Sequence, residues 1–138
     1  MNKILLIIFI FFSAIYVKAQ KADDIIGKYR MPNDLDIEIF KKGDKYYGKV
    51  IALNNWENGQ TKDYKNPDES KRNEPLLGKV IITGLEFDRE EKEWVNGTLY
   101  GPDKGMFLDF EINEIRPKEV EATASKFIIH KTLILKKL

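Results

Sequence analysis

The side chains that could perform chemistry in this chain are few. It contains no cysteine and a single histidine, His130, and beyond residue 19 its only serines are Ser70 and Ser125. A Ser-His-Asp relay needs three groups that converge in space, and the Gly-x-Ser-x-Gly motif of many hydrolases does not occur. Glycine-rich phosphate-binding motifs are also missing from the sequence. We therefore predict no catalytic residue and no cofactor.

Oxygen-bearing side chains are concentrated in the segment Asp63-Tyr64-Lys65-Asn66-Pro67-Asp68, with Arg72 shortly after it. Carboxylate and amide oxygens suit a hard cation such as Ca²⁺, but the spacing is not that of an EF-hand. Asn-Pro-Asp is instead typical of a turn in which side chains bond the local backbone. We predict no metal site, pairing of Asp63 or Asp68 with Arg72 or Lys65, and a structural or binding role for Asp63, Lys65, Asn66, Asp68 and Arg72.

The first 19 residues have the pattern of a secretory signal peptide. Lys3 precedes an almost wholly apolar run from Ile4 to Val17, and Val17-Lys18-Ala19 resembles a cleavage site before Gln20. Fourteen residues at ~1.5 Å each span about 21 Å, which is short of a ~30 Å hydrocarbon core. We expect cleavage after Ala19, export to the periplasm or the extracellular space, and no membrane span in the mature chain.

The remaining residues, 20–138, form one domain of balanced charge. Without Lys3 and Lys18 the 23 basic residues fall to 21, against 22 acidic residues. Nucleic acid binding requires a strongly basic face, so nucleic acid is not an expected partner. Since there is no cysteine, the domain must be held by packing and hydrogen bonds alone, which favours a closed sheet.

Period-two alternation dominates the domain, as in Leu35-Asp36-Ile37-Glu38-Ile39, and this pattern is typical of half-buried strands. We predict an all-β fold, a single antiparallel eight-stranded up-and-down barrel, with an open sandwich as the alternative. The predicted strands are 26–31, 35–41, 45–53, 79–87, 93–100, 105–113, 118–124 and 130–137.

An eight-stranded barrel has an interior that side chains fill or that holds one small ligand. The residues predicted to face inward are Tyr29, Ile37, Ile39, Tyr46, Val50, Val80, Ile82, Trp94, Phe110 and Leu133. Five of them, Tyr29, Ile39, Tyr46, Trp94 and Phe110, are the predicted ligand contacts.

Residues 54–77 form a connection that is much longer than usual, and long loops are often functional. We expect this loop to close one mouth of the barrel and to expose Trp56 and Tyr64.

The order of several short motifs resembles an uncharacterised family of exported bacterial proteins, a "domain of unknown function" with a lipocalin-like barrel. The C-terminal strands depart from the family pattern at 122–126 and 135–137. The resemblance implies the barrel and no activity. The motifs that carry it are Gly27-Lys28-Tyr29, Tyr47-Gly48-Lys49-Val50, Asp63-x-Lys65-Asn66-Pro67-Asp68, Arg72, Pro75-Leu76-x-Gly78 and Trp94-x-x-Gly97-x-x-Tyr100-x-Pro102.

Three hypotheses about function follow. The first is a non-enzymatic module that binds a small apolar or amphipathic ligand in the barrel. The second is a solid barrel that binds an envelope protein through the 54–77 loop, because aromatic residues such as Trp56 and Tyr64 are enriched at contact hot spots. The third is a carboxylate-based hydrolase, for which the sequence singles out no pair of acids.

Overall fold

The structure, a computed structural model that describes residues 20–138, is a closed antiparallel barrel of eight strands. Each strand pairs with the next one along the chain, and the last strand pairs with the first. This confirms the predicted up-and-down barrel. The strands are β1 (Gly27–Arg30), β2 (Asp36–Lys42), β3 (Lys45–Ala52), β4 (Val80–Asp88), β5 (Glu93–Gly101), β6 (Met106–Ile115), β7 (Glu119–Lys126) and β8 (Ile129–Lys137).

Helical structure in residues 20–138 is limited to three short 3₁₀ helices, Ala22–Ile25, Trp56–Gly59 and Glu69–Lys71. None of the helices in this range could cross a membrane. The predicted signal peptide, residues 1–19, lies outside the described residues.

Alternating side chains of all eight strands form one core inside the barrel. Ile37 and Ile39 of β2 and Leu135 of β8 are fully buried, as their period-two spacing predicts. The indole of Trp94 packs on Phe87 with ring centroids 5.0 Å apart.

The prediction that Val80 faces inward is wrong, since this side chain is 41% exposed. The pairing of β3 with β4 shifts register between Gly48 and Lys49, so that Val80 lies opposite Lys49 while Ile82 lies opposite Gly48. Directly paired residues share a face of the sheet, and Val80 therefore points outward beside Lys49.

The centre of the barrel is packed so tightly that β5 requires glycine at position 97. A Cβ atom there would lie 2.6 Å from Cδ2 of Leu85 and 2.9 Å from the carbonyl oxygen of Phe110. One of these neighbours is backbone and cannot move alone, so an added methyl group would force the strands apart.

We predict that Gly97→Ala lowers the free energy of unfolding by about 1–3 kcal/mol through overpacking. Gly27→Ala is the matched control, because a Cβ there would meet only the Tyr29 side chain at 3.6 Å or more. It should change the unfolding free energy by less than about 0.5 kcal/mol. Urea denaturation of both variants measures the difference, and equal losses would contradict the close packing at Gly97.

Candidate functional site

The N-terminal segment seals one end of the barrel. Ala22 accepts a hydrogen bond from Nε1 of Trp94 at 2.8 Å, and Ile25 accepts one from the Tyr29 hydroxyl at 2.8 Å. The Tyr46 hydroxyl donates to the carboxylate of Asp23. Each aromatic ring thus buries its apolar part in the core, and its polar atom forms a hydrogen bond with the segment that covers the barrel end.

The five predicted ligand contacts are all in the packed part of the interior. Each is 2% exposed or less, and none of them lines the open cleft described below. The structure gives them a packing role, and their role as ligand contacts stays a prediction. They are Tyr29, Ile39, Tyr46, Trp94 and Phe110.

Burial holds three tyrosine hydroxyls in the protonated form. Burial raises the pKa of Tyr29 to about 12, with a smaller effect from the charge of Asp24. Burial also raises the pKa of Tyr46, and the hydrogen bond to Asp23 adds to the effect. The pKa of Tyr100 is raised by burial and by its hydrogen bond to Asp63.

These raised pKa values predict a loss of stability in alkali. The stabilisation is complete below the unfolded-state pKa near 10 and is lost as the pH rises toward the folded-state values. Each tyrosine contributes a slope of up to about 1.4 kcal/mol per pH unit in this window. Tyr46→Phe and Tyr100→Phe should each make the slope shallower. Denaturant titrations between pH 9 and pH 11.5, at about half-unit steps, measure it, and stability curves that run parallel to the wild type would refute the assignment.

A cleft of about 550 Å³ opens at the other end of the barrel. Its walls come from the β1–β2 connection, the β5–β6 hairpin and the β7–β8 hairpin. Leu99, Leu108, Ala124 and Leu133 project from the strands as its apolar floor, with Met31 beside them. The full lining is Met31, Pro32, Asn33, Leu99, Tyr100, Gly101, Asp103, Lys104, Met106, Leu108, Ala124, Ser125, Lys126, Phe127, Ile129, Lys131 and Leu133.

The rim of this cleft is cationic. Lys104, Lys126 and Lys131 line it, and all three are exposed. Within residues 20–138 none of the three is in an ion pair, and Asp103 is the only acid in the lining. An apolar floor below unpaired ammonium groups suits a molecule with an apolar body and an anionic end.

Of the residues that line the cleft, only Leu133 was predicted to face the barrel interior, and none was among the five predicted ligand contacts. A usable signal was the small side chain of Ala124 on the inner face of β7, which lines the cleft and leaves space that a larger residue would fill. Lys131 was a second signal, since it shares a face with Leu133 and directly opposes Ala124 in the register. A lysine that faces inward at the end of a strand indicates that the barrel mouth there is open to solvent and has a polar rim.

The 54–77 loop braces the barrel, and none of its residues lines the cleft. The ammonium of Lys65 donates to the carbonyl of Asp103 at 2.8 Å. Gly105 has a left-handed φ of +62°, and a Cβ there would overlap the Lys65 carbonyl. The loop therefore acts on the cleft indirectly, by fixing the β5–β6 turn that forms part of its wall.

Asp63 is at the centre of the hydrogen-bond network of the loop, and its side chain is fully buried. It accepts hydrogen bonds from the Tyr100 hydroxyl at 2.6 Å and from Nδ2 of Asn66 at 2.7 Å, and it pairs with Lys79 at 3.3 Å. Burial opposes the charge on Lys79, but its bonds to Glu74 and Asp63 outweigh this effect and raise its pKa.

The predicted pairing of Asp63 or Asp68 with Arg72 or Lys65 is wrong. Arg72 donates to the carbonyl of Asn66 at 2.8 Å and lies 3.8 Å from Glu69. Asp68 instead accepts from the backbone and side chain of Ser70, and this interaction lowers its pKa. The partners of Asp63 are its near neighbour Asn66, Lys79 directly before β4, and Tyr100 of β5.

Trp56 is also placed differently from the prediction. It is only 5% exposed and belongs to the core cluster, so it offers no contact surface to a partner. Tyr64 is exposed as predicted, and its hydroxyl donates to Glu57. The hypothesis of an interaction surface on this loop thereby loses one of its two aromatic anchors.

We predict that Asp63→Asn lowers the free energy of unfolding by about 3 kcal/mol, because it removes the buried charge that faces Lys79. Asp68→Asn is the control at an exposed position, and it should cost much less than Asp63→Asn. Thermal and urea melts of both variants test this. Similar losses in the two variants would mean that the buried network does not hold the loop.

Comparisons with known proteins agree with the fold. Residues 27–137 match the model of a family described as an uncharacterised protein conserved in bacteria, DUF2147. Protein HP1028 from Helicobacter pylori, a solved structure reported to belong to the lipocalin family, superposes with a TM-score of 0.72 at 22% identity, over 83% of each chain. No curated protein matches the sequence.

Proposed function

We propose a ligand-binding role for this chain, which belongs to the DUF2147 family of uncharacterised proteins conserved in bacteria. The ligand class is a small amphipathic molecule with an apolar tail and an anionic end. The observation that supports this proposal is the cleft of about 550 Å³, with its floor of Leu99, Leu108 and Leu133. This volume is within the range of roughly 300–1,000 Å³ that is usual for small-molecule sites.

The three rim lysines are the part of the cleft that selects charge. An ammonium group held at the mouth of an apolar site favours a carboxylate or phosphate over an uncharged end, because the hydrogen bond is then charge-assisted on both sides. Lys126 and Lys131 stand on the two strands of one hairpin, and they are the residues to which we assign this selection. Lys104 contributes from the neighbouring β5–β6 turn.

Export of the mature chain from Gln20 onward is part of the same proposal. The Gln20 side chain donates to the carbonyl of Lys92 at 2.5 Å and accepts from the backbone N–H of Ile115 at 2.6 Å. Cleavage after Ala19 would therefore keep Gln20, whose side chain bonds the barrel. N-terminal sequencing of protein purified from the bacterial envelope or medium tests this, and a chain that still begins at Met1 would refute it.

We predict that dodecanoate binds more tightly than dodecanol, which has the same chain and an uncharged end, by about tenfold. Displacement of a fluorescent fatty-acid probe measures both. Lys126→Gln/Lys131→Gln should remove most of the preference. The control is Lys136→Gln/Lys137→Gln, which changes two exposed lysines on the same strand at the sealed end.

A second variant tests the cleft itself. Ala124→Phe places a ring where the floor is now a methyl group, and it should weaken the binding of both dodecanoate and dodecanol by about tenfold or more. Its melting curve checks that the barrel still folds. Unchanged binding in a folded Ala124→Phe protein would refute the cleft as the binding site.

A further inference from the structure

The turn between β7 and β8 carries an exposed apolar tip. Phe127, Ile128 and Ile129 are 89%, 91% and 72% exposed, and they are consecutive in the sequence. We call residues 126–131 the hairpin tip. Single exposed apolar residues are ordinary, but three together on a protruding turn indicate contact with an apolar phase or a partner.

The fold does not explain these residues. Phe127 has φ +56°, a left-handed geometry that is unfavourable for a bulky aromatic residue and that two-residue hairpin turns usually give to glycine or asparagine. A phenylalanine here therefore costs stability twice, through backbone strain and through exposure to water. Such a cost at a turn points to a use for the side chain.

The surroundings of the tip combine cations with further apolar surface. Lys126 and Lys131 are its first and last residues, and neither is in an ion pair within the described chain. The register that pairs Asp109 with Ser125 brings the start of β6 alongside, where Met106 and Phe107 are also exposed. The apolar side chains are at the end of the turn, and the lysines lie closer to the barrel. This order matches an anionic bilayer, in which the charged head groups lie above the acyl chains.

We propose that the hairpin tip docks the mouth of the barrel onto an anionic lipid surface, with Phe127 and Ile128 inserted among the acyl chains. A protein partner fits less well, because a stable interface buries about 800 Å² on each side and the tip is a narrow, convex turn. A fluid bilayer accepts such a shape, since lipids rearrange around it.

This inference rests on the proposed function in one respect: the mouth brought to the lipid surface is that of the ligand cleft. Phe127 and Ile129 line the cleft as well as belonging to the tip. An amphipathic ligand could therefore pass between the bilayer and the apolar floor without crossing water. Ile128 does not line the cleft, which makes it the residue that separates docking from ligand binding.

The test is co-sedimentation with vesicles of phosphatidylcholine alone or with about a quarter of phosphatidylglycerol. The wild-type protein should bind the anionic vesicles about tenfold more tightly than the neutral ones. Ile128→Ser should weaken that binding by about tenfold or more. Leu138→Ser is the matched control, because Leu138 is 59% exposed at the sealed end of the barrel, and it should bind like the wild type.

Two further variants report on the tip directly. Phe127→Trp adds an exposed indole to a chain whose tryptophans in the described residues, Trp56 and Trp94, are buried, so its emission should shift to the blue on anionic vesicles alone. Phe127→Gly should melt no lower than the wild type, because glycine adopts a φ of +56° without strain, while its vesicle binding falls.

The outcomes separate this proposal from the proposed function. A wild-type protein that binds dodecanoate but ignores anionic vesicles overturns the docking alone, and so does vesicle binding that Ile128→Ser leaves intact. A dimer that Ile128→Ser dissociates, without vesicle binding, would assign the tip to a second copy and also overturn it. Vesicle binding that depends on Ile128 in a protein that ignores dodecanoate supports docking and overturns the ligand cleft.

Discussion

The sheet closes through two residue pairs between β1 and β8, Tyr29 with Lys137 and Arg30 with Lys136. The rest of the structure depends on this short contact, because an open sheet would leave two edges unpaired and the core uncovered between them. The chain has no disulfide to assist it. The closure is reinforced by the sealed end, where the Tyr29 hydroxyl bonds the segment that covers the core and Leu138 donates its backbone N–H to Lys28.

The two ends of the barrel differ because their side chains differ. At the sealed end large aromatic rings fill the interior, and their polar atoms hold the N-terminal segment in place. At the open end the inward residue of β7 is Ala124, which lines the cleft, and the interior is left with room for a small molecule. The packed sealed end and the core stabilise the domain, while the cleft occupies the open end.

The long loop and the hairpin tip both lie at the open end of the barrel, but the loop is held by internal contacts and the tip is exposed. The loop is ordered by the buried carboxylate of Asp63 and the braced backbone at Gly105, so the β5–β6 wall of the cleft is fixed. The tip on the neighbouring β7–β8 hairpin is strained at Phe127 and exposed, as expected of a surface whose favourable contacts lie outside the protein. The fixed β5–β6 wall sets the shape of the cleft. The exposed tip, in the proposed docking, turns the mouth of the cleft toward the lipid surface.

The sequence by itself determined the strands and their order, because period-two alternation and turn residues are local properties that each segment carries independently. Leu35-Asp36-Ile37-Glu38-Ile39 could be assigned without reference to the rest of the chain. Only the tertiary structure decided which interior residues pack and which line a cleft, which way Val80 points, and that Asp63 bonds Tyr100, 37 positions away. These depend on register shifts and on contacts across the barrel, where a one-residue slip moves a side chain to the other face, and no local pattern records them.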